Sequence, residues 1–110
     1  MNQTKAHQEL LKAILFKFGA RRDMKIWANN TGATKTADGR FVRFGLVGSA
    51  DILGLMKGGR FLAIEVKTGR AKQTPQQKKF EQMITDLGGL YILARSVEDV
   101  EKELRPYLSI

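Results

Sequence analysis

The sequence predicts an α/β protein, an α+β mixed sheet flanked by helices. Three observations lead there. Residues 48–67 hold two apolar runs on either side of Gly58-Gly59, the pattern of a β-hairpin. Three segments, at 4–18, 75–87 and 97–104, carry helical spacing with recognisable caps. Between the last two lies Leu90-Tyr91-Ile92-Leu93-Ala94, a continuous apolar run expected to be a buried strand. At 110 residues the chain makes one domain, spanning 1–110, with a single modest core.

The first helix starts at Thr4, a good N-cap, and Gly19 ends it. His7, Leu10, Leu11, Ile14, Leu15 and Phe18 share one stripe, while Glu9 lies opposite. Phe16 on the polar side is an anomaly that suits a subunit contact. Met24-Lys25-Ile26-Trp27-Ala28-Asn29-Asn30 alternates as a strand, and Asn29-Asn30-Thr31-Gly32 breaks it. Arg40-Phe41-Val42-Arg43-Phe44 makes a short strand after the turn Ala37-Asp38-Gly39. The segment 29–48 carries Lys35, Arg40 and Arg43 against a single acid. It reads equally as a solvated loop or as one lying along phosphates. After the hairpin, Arg70 and Lys72 lead to Thr74-Pro75, an N-cap followed by proline at the first helical position. Phe80, Met83, Ile84 and Leu87 should form the inner face of that helix, with Gly88-Gly89 as terminator. Gln77, near its start, is expected at the solvent, though it can face the hairpin. Ser96 caps the last helix, which turns Val100 inward, and Pro106 follows it. The predicted order is α-β-β-β-β-α-β-α.

Composition narrows the function. There is no cysteine and one histidine, so disulfides, thiolate sites and multi-histidine zinc sites are excluded. No apolar run approaches a membrane span, and Met1-Asn2-Gln3 is a polar start unlike a signal peptide. An intracellular, cytoplasmic protein is expected. Net charge is +8, from 19 basic and 11 acidic residues, and the pI is near 10.1. That balance favours a polyanion, nucleic acid first.

The central hairpin places Asp51, Glu65 and Lys67 in core-like strands, where charges are costly unless paired or bound to a metal. Glu65 and Lys67 share one strand face, while Leu62, Ile64 and Val66 take the other. Glu-x-Lys alone also suits an exposed ion pair on an edge strand. With Asp51 one strand earlier, two carboxylates and an intervening carbonyl can hold a hard cation such as Mg²⁺. A lysine beside it can orient water or offset developing charge. Register decides whether this works. A two-residue Gly58-Gly59 loop would pair Asp51 with Val66 and turn it away from Glu65. The chemistry needs an odd loop, such as Gly58-Gly59-Arg60, or a bulge, for which Gly54 is the natural place.

Asn29-Asn30-Thr31-Gly32, Gly48-Ser49-Ala50-Asp51, Glu65-Val66-Lys67, Thr74-Pro75-Gln76-Gln77 and Gly88-Gly89 occur in the order of a VRR-NUC domain. The chain resembles that branch of the PD-(D/E)xK nuclease superfamily over nearly its whole length, and its small stand-alone, virus-type members most. The resemblance implies a restriction-endonuclease-like core and a Mg²⁺- or Mn²⁺-dependent endonuclease with no small-molecule cofactor. It implies Asp51, Glu65 and the backbone carbonyl of Val66 as metal ligands, Lys67 as catalytic lysine and Gln77 as its helper. The family's acidic residue on the first helix has no direct counterpart. Its place falls at His7, with Glu9 the nearby acid. Similar proteins resolve four-way (Holliday) DNA junctions as homodimers. Lys35, Arg40, Arg43, Arg70 and Lys72 are then the expected DNA contacts. The alternatives are a non-catalytic basic nucleic-acid-binding module, or a nuclease domain that relies on a partner for targeting.

Overall fold

A computed structural model describes residues 4–108; Met1, Asn2 and Gln3 lie outside them. The chain runs α1 (Lys5–Gly19), β1 (Met24–Ala28), β2 (Gly32–Lys35), β3 (Phe41–Phe44), β4 (Ile52–Met56) and β5 (Arg60–Val66). Then come α2 (Pro75–Asp86), β6 (Leu90–Ala94), α3 (Val97–Leu104) and a short 3₁₀ turn at Arg105–Tyr107. Four strands form one sheet in the order β1-β4-β5-β6, while β2 and β3 pair only with each other. β1, β4 and β5 are antiparallel neighbours, and β6 lies parallel to β5. The sheet is therefore mixed, as expected.

β2 is an addition to the expected order. Its Gly-Ala-Thr-Lys has no apolar alternation because every side chain on it is exposed. Only its backbone pairing to β3 makes it a strand, and sequence patterning does not report that. The expected strand at Phe41–Phe44 thus gains a partner in the stretch before it, and the two form a β-ribbon.

β5 is buried on both faces. Leu62, Ile64 and Val66 join Ile14, Phe18, Ile26, Ile52, Ile92, Val100 and Leu104 in a core under α1 and α3. On the other face, Ala63 packs with Ala50, Phe80 and Ile84 beneath α2. Thr4 caps α1 by accepting from the His7 N–H at 3.0 Å, and Ser96 caps α3 by accepting from that of Asp99. Two expected burials fail. Met83 and Leu87 are 39% and 80% exposed, because α2 meets the sheet along the narrow line of Phe80 and Ile84. β6 is only half-buried at Leu90, Tyr91 and Leu93, since it is an edge strand.

The β4–β5 turn is odd in length. Met56 pairs with Arg60, which leaves Lys57-Gly58-Gly59 as the loop, with Gly58 and Gly59 at φ of +90° and +87°. No bulge is needed at Gly54, which faces Leu62 in unbroken register. Its lack of a side chain serves a close approach instead: a Cβ there would lie 2.7 Å from both Ile26 Cγ2 and the Lys25 carbonyl.

Candidate active site

The odd loop decides the geometry. Ile52 pairs with Ile64, so one further step sets Asp51 opposite Glu65, on the same face of the sheet. Both carboxylates open into a cleft of about 440 Å³ where β4 begins and β5 ends. His7 from α1, Asn29, Val66, Lys67 and Gln77 from α2 line the same cleft. A larger depression of about 860 Å³, at the other end of β1 and β4, is lined by residues such as Arg22, Lys25 and Lys57 and brings no carboxylates together.

Asp51 Oδ2 accepts from the Val66 N–H at 2.8 Å and lies 3.3 Å from His7 Nε2. The Lys67 N–H donates to the Ala94 carbonyl on β6. Backbone groups alternate edges along a strand, so Val66 turns both its N–H and its C=O away from β6, toward Asp51. The carbonyl expected to join the carboxylates thus faces the right edge.

Glu65 is 3% exposed. Its Oε2 accepts from Gln77 Nε2 at 3.0 Å and lies 3.5 Å from Lys67 Nζ. Gln77, expected at the solvent, is buried instead. Its Oε1 accepts the Thr74 N–H at 2.9 Å, and its own N–H donates to Thr74 Oγ1. This is a capping box. With the amide oxygen held by Thr74, the amide nitrogen has to point at Glu65. One side chain therefore caps α2 and orients an acid.

Glu65 Oε1 is buried and has no hydrogen-bond partner. Burial, and then the neighbouring Asp51 charge, push the Glu65 pKa from 4.5 up to about 8, against the pull of Lys67. Two carboxylates and an unpartnered oxygen make a site that favours added positive charge. Among the described residues, no three His, Asp or Glu side chains form a ready-made cage for an ion. Asp51 and Glu65 would suit a hard cation such as Mg²⁺, which takes one or two carboxylates and keeps several waters.

On the first helix the two candidates, His7 and Glu9, part company. His7 points into the cleft toward Asp51, whereas Glu9 is exposed on the other side of α1. Around the cleft, Arg70 and Lys72 are exposed on the loop after β5. Arg95 pins that loop by donating to the carbonyls of Gly69 at 3.4 Å and Ala71 at 2.8 Å. Lys35 and Arg43 stand exposed on the ribbon, and Arg40 at its tip pairs with Asp38 at 3.0 Å. Asn29 and Arg95 had no assigned role from sequence. Asn29 Nδ2 donates to Ser49 Oγ at 2.7 Å and to the Ala50 carbonyl at 2.8 Å, tying β1 to the stretch that carries Asp51. The Asn-Asn-Thr-Gly break was its signal in the sequence.

Among solved structures, the chain is similar to one described as a "VRR_NUC domain protein". The TM-score is 0.62 at 15% identity, over 97% of this chain and 91% of that one. The chain has the VRR-NUC fold. By sequence, it matches no protein-family model and no curated protein. At this identity the likeness concerns the fold alone. Among the described residues, no helix is long and apolar enough to cross a membrane.

Proposed function

We propose that this chain is a divalent-metal-dependent endonuclease of the PD-(D/E)xK type that hydrolyses phosphodiester bonds in branched DNA as a homodimer. The observation that carries the reading is the convergence of Asp51, Glu65, Lys67 and Gln77 on one end of one sheet face. Asp51, Glu65 and the Val66 carbonyl would hold Mg²⁺ or Mn²⁺, and His7 steadies Asp51 from α1. When bound there, the ion would lower the pKa of a water and polarise the scissile phosphate.

The chain's own groups do the rest. Gln77 holds the Glu65 carboxylate in one orientation, so the site is preorganised rather than assembled on binding. Lys67 is only 13% exposed, so its charge acts in a poorly screened setting. From there it can align the attacking water and offset charge on the pentacovalent transition state. The +8 net charge holds the backbone, so affinity should fall steeply with salt and depend little on base sequence. Arg70 and Lys72 stand on either side of Ala71, which lines the cleft, and would contact phosphates there.

A two-fold pair would present two sites to a two-fold junction. Phe16 on α1 is 89% exposed, apolar surface that a second subunit would cover. The testing experiment is cleavage of labelled junction, flap and duplex DNA with Mg²⁺, with Mn²⁺ and in EDTA. Metal-dependent cutting that favours branched DNA supports the reading. Binding without cutting would leave only a basic binding module.

A further inference from the structure

The β2–β3 ribbon has no place in the hydrolytic chemistry, and its construction suggests a separate task. An isolated two-stranded ribbon is marginal in water unless something covers it. Here every described side chain on both strands is exposed, including Phe41 at 76%.

The register sorts these side chains. Lys35 pairs with Phe41 and Ala33 with Arg43, so Lys35, Phe41 and Arg43 share one face; Thr34 and Val42 pair on the other. The Lys35 ammonium stands 5.9 Å from the centre of the Phe41 ring. One face thus carries an aromatic ring between two cations. The single acid of the segment, Asp38, is engaged at the tip by Arg40 and Thr36.

The root of the ribbon is fixed to the active site. Gly45, at φ +79°, lets the two legs close: a Cβ there would lie 2.6 Å from Thr31 Cγ2. Asn29 is bonded to Ser49 and Ala50, and its N–H donates to the Asp51 carbonyl at 2.8 Å. Asn29, Asn30 and Thr31 also line the cleft. A strand gripped by the ribbon therefore leads to the carboxylates.

We infer that the β2–β3 ribbon is an arm that grips nucleic acid, with Lys35 and Arg43 on phosphates and Phe41 stacked on an unstacked base. This rests on the nuclease reading and adds a source for its substrate choice. Charge complementarity and continuity with the cleft select nucleic acid as the occupant. A ring face stacks on any base, but only where the duplex is interrupted. A ribbon lying in an intact groove would instead meet base edges. Phe41 therefore makes the protein prefer a flap or branch point over continuous duplex.

The test is metal-free binding by the full chain, measured in EDTA on a flap with 2-aminopurine at the unpaired position and on a matched duplex. The wild type should bind the flap more tightly and quench the 2-aminopurine. Phe41→Ala should lose flap affinity roughly 10-fold, with little change on duplex, and Phe41→Tyr should restore it. Val42→Ala, on the opposite face, should bind as the wild type does. Lys35→Ala and Arg43→Ala should weaken both DNAs alike, each lowering the salt slope by about one. The inference is overturned if Phe41→Ala binds the flap like the wild type, or weakens flap and duplex equally. It is also overturned if that variant's main effect is lost self-association without DNA, which would make a second copy of this chain the occupant. Failure of the nuclease reading looks different: flap selectivity that depends on Phe41, with no cutting when metal is added.

Discussion

Replacing Glu65 with glutamine should stabilise the metal-free protein at alkaline pH and flatten the pH dependence of its stability. The folded protein keeps the Glu65 proton up to about pH 8, whereas the unfolded chain releases it near 4.5. Between these values the native state binds more protons than the unfolded state. This contribution is therefore fully present below about 4.5 and is lost as pH rises toward 8. At about 1.4 kcal/mol per pH unit, the whole gap would cost at most about 5 kcal/mol. Asp51 shares the repulsion and water enters the cleft, so about 2–3 kcal/mol is the realistic loss. For a domain of this size that corresponds to roughly 10–20 °C in Tm. The glutamine keeps the acceptor for Gln77 and places a neutral amide where Glu65 Oε1 has no partner.

Urea unfolding at pH 5, 6.5 and 8 in EDTA measures the effect. The wild type should lose stability across the series, and Glu65→Gln should lose about 2 kcal/mol less. Added Mn²⁺ should recover stability at pH 8 in the wild type only, since binding to the native state alone is stabilising. Parallel curves for the two proteins would refute the account of Glu65 as a buried, charge-stressed carboxylate.

Other expectations follow from the same contacts. Gln77→Leu removes a cap and the donor to Glu65, so thermal melts should show a loss of about 1–2 kcal/mol, and cleavage should fall with it. Gly48→Ala would bring a Cβ to 2.6 Å from the Gln76 carbonyl at φ +82°. It should cost on the order of 2 kcal/mol in chemical denaturation, whereas Gly19→Ala, with open space around it, should be neutral or slightly stabilising. Light scattering should find a dimer at tens of micromolar (a rough scale for a weak pair). A monomer there would count against paired cutting of a junction.

Much of the site was legible because strand periodicity is simple. Glu65 and Lys67 had to share a face, and the apolar Leu62, Ile64 and Val66 had to take the other. The sharing of that face by Asp51 reduced to the parity of one loop, and the chemistry required an odd one. Which three residues form it was not legible, because Lys57-Gly58-Gly59 and Gly58-Gly59-Arg60 both satisfy parity and offer glycines for the turn. Composition alone sends Gln77 to the solvent, because both its partners, the Thr74 backbone and Glu65, come together only in the folded chain, whereas the motif resemblance places it at the site. β2 left no pattern, since a strand exposed on both faces has no apolar alternation. Met83 and Leu87 fit a helical stripe, yet the stripe is wider than the sheet beneath it. The helical wheel sets His7 on the apolar stripe and Glu9 opposite it, and both stay open as the first-helix group; the contact of His7 with Asp51 follows from α1 placing its first turn beside the cleft.

The most direct measurement is cleavage of a labelled four-way junction by the full chain, in Mg²⁺ or Mn²⁺ and in EDTA, beside Asp51→Asn and Lys67→Ala. The account predicts cutting only by the wild type and only with metal, while both variants bind the junction in EDTA as the wild type does. Cleavage in EDTA, wild-type cutting by Lys67→Ala, or an intact junction under every condition would contradict it.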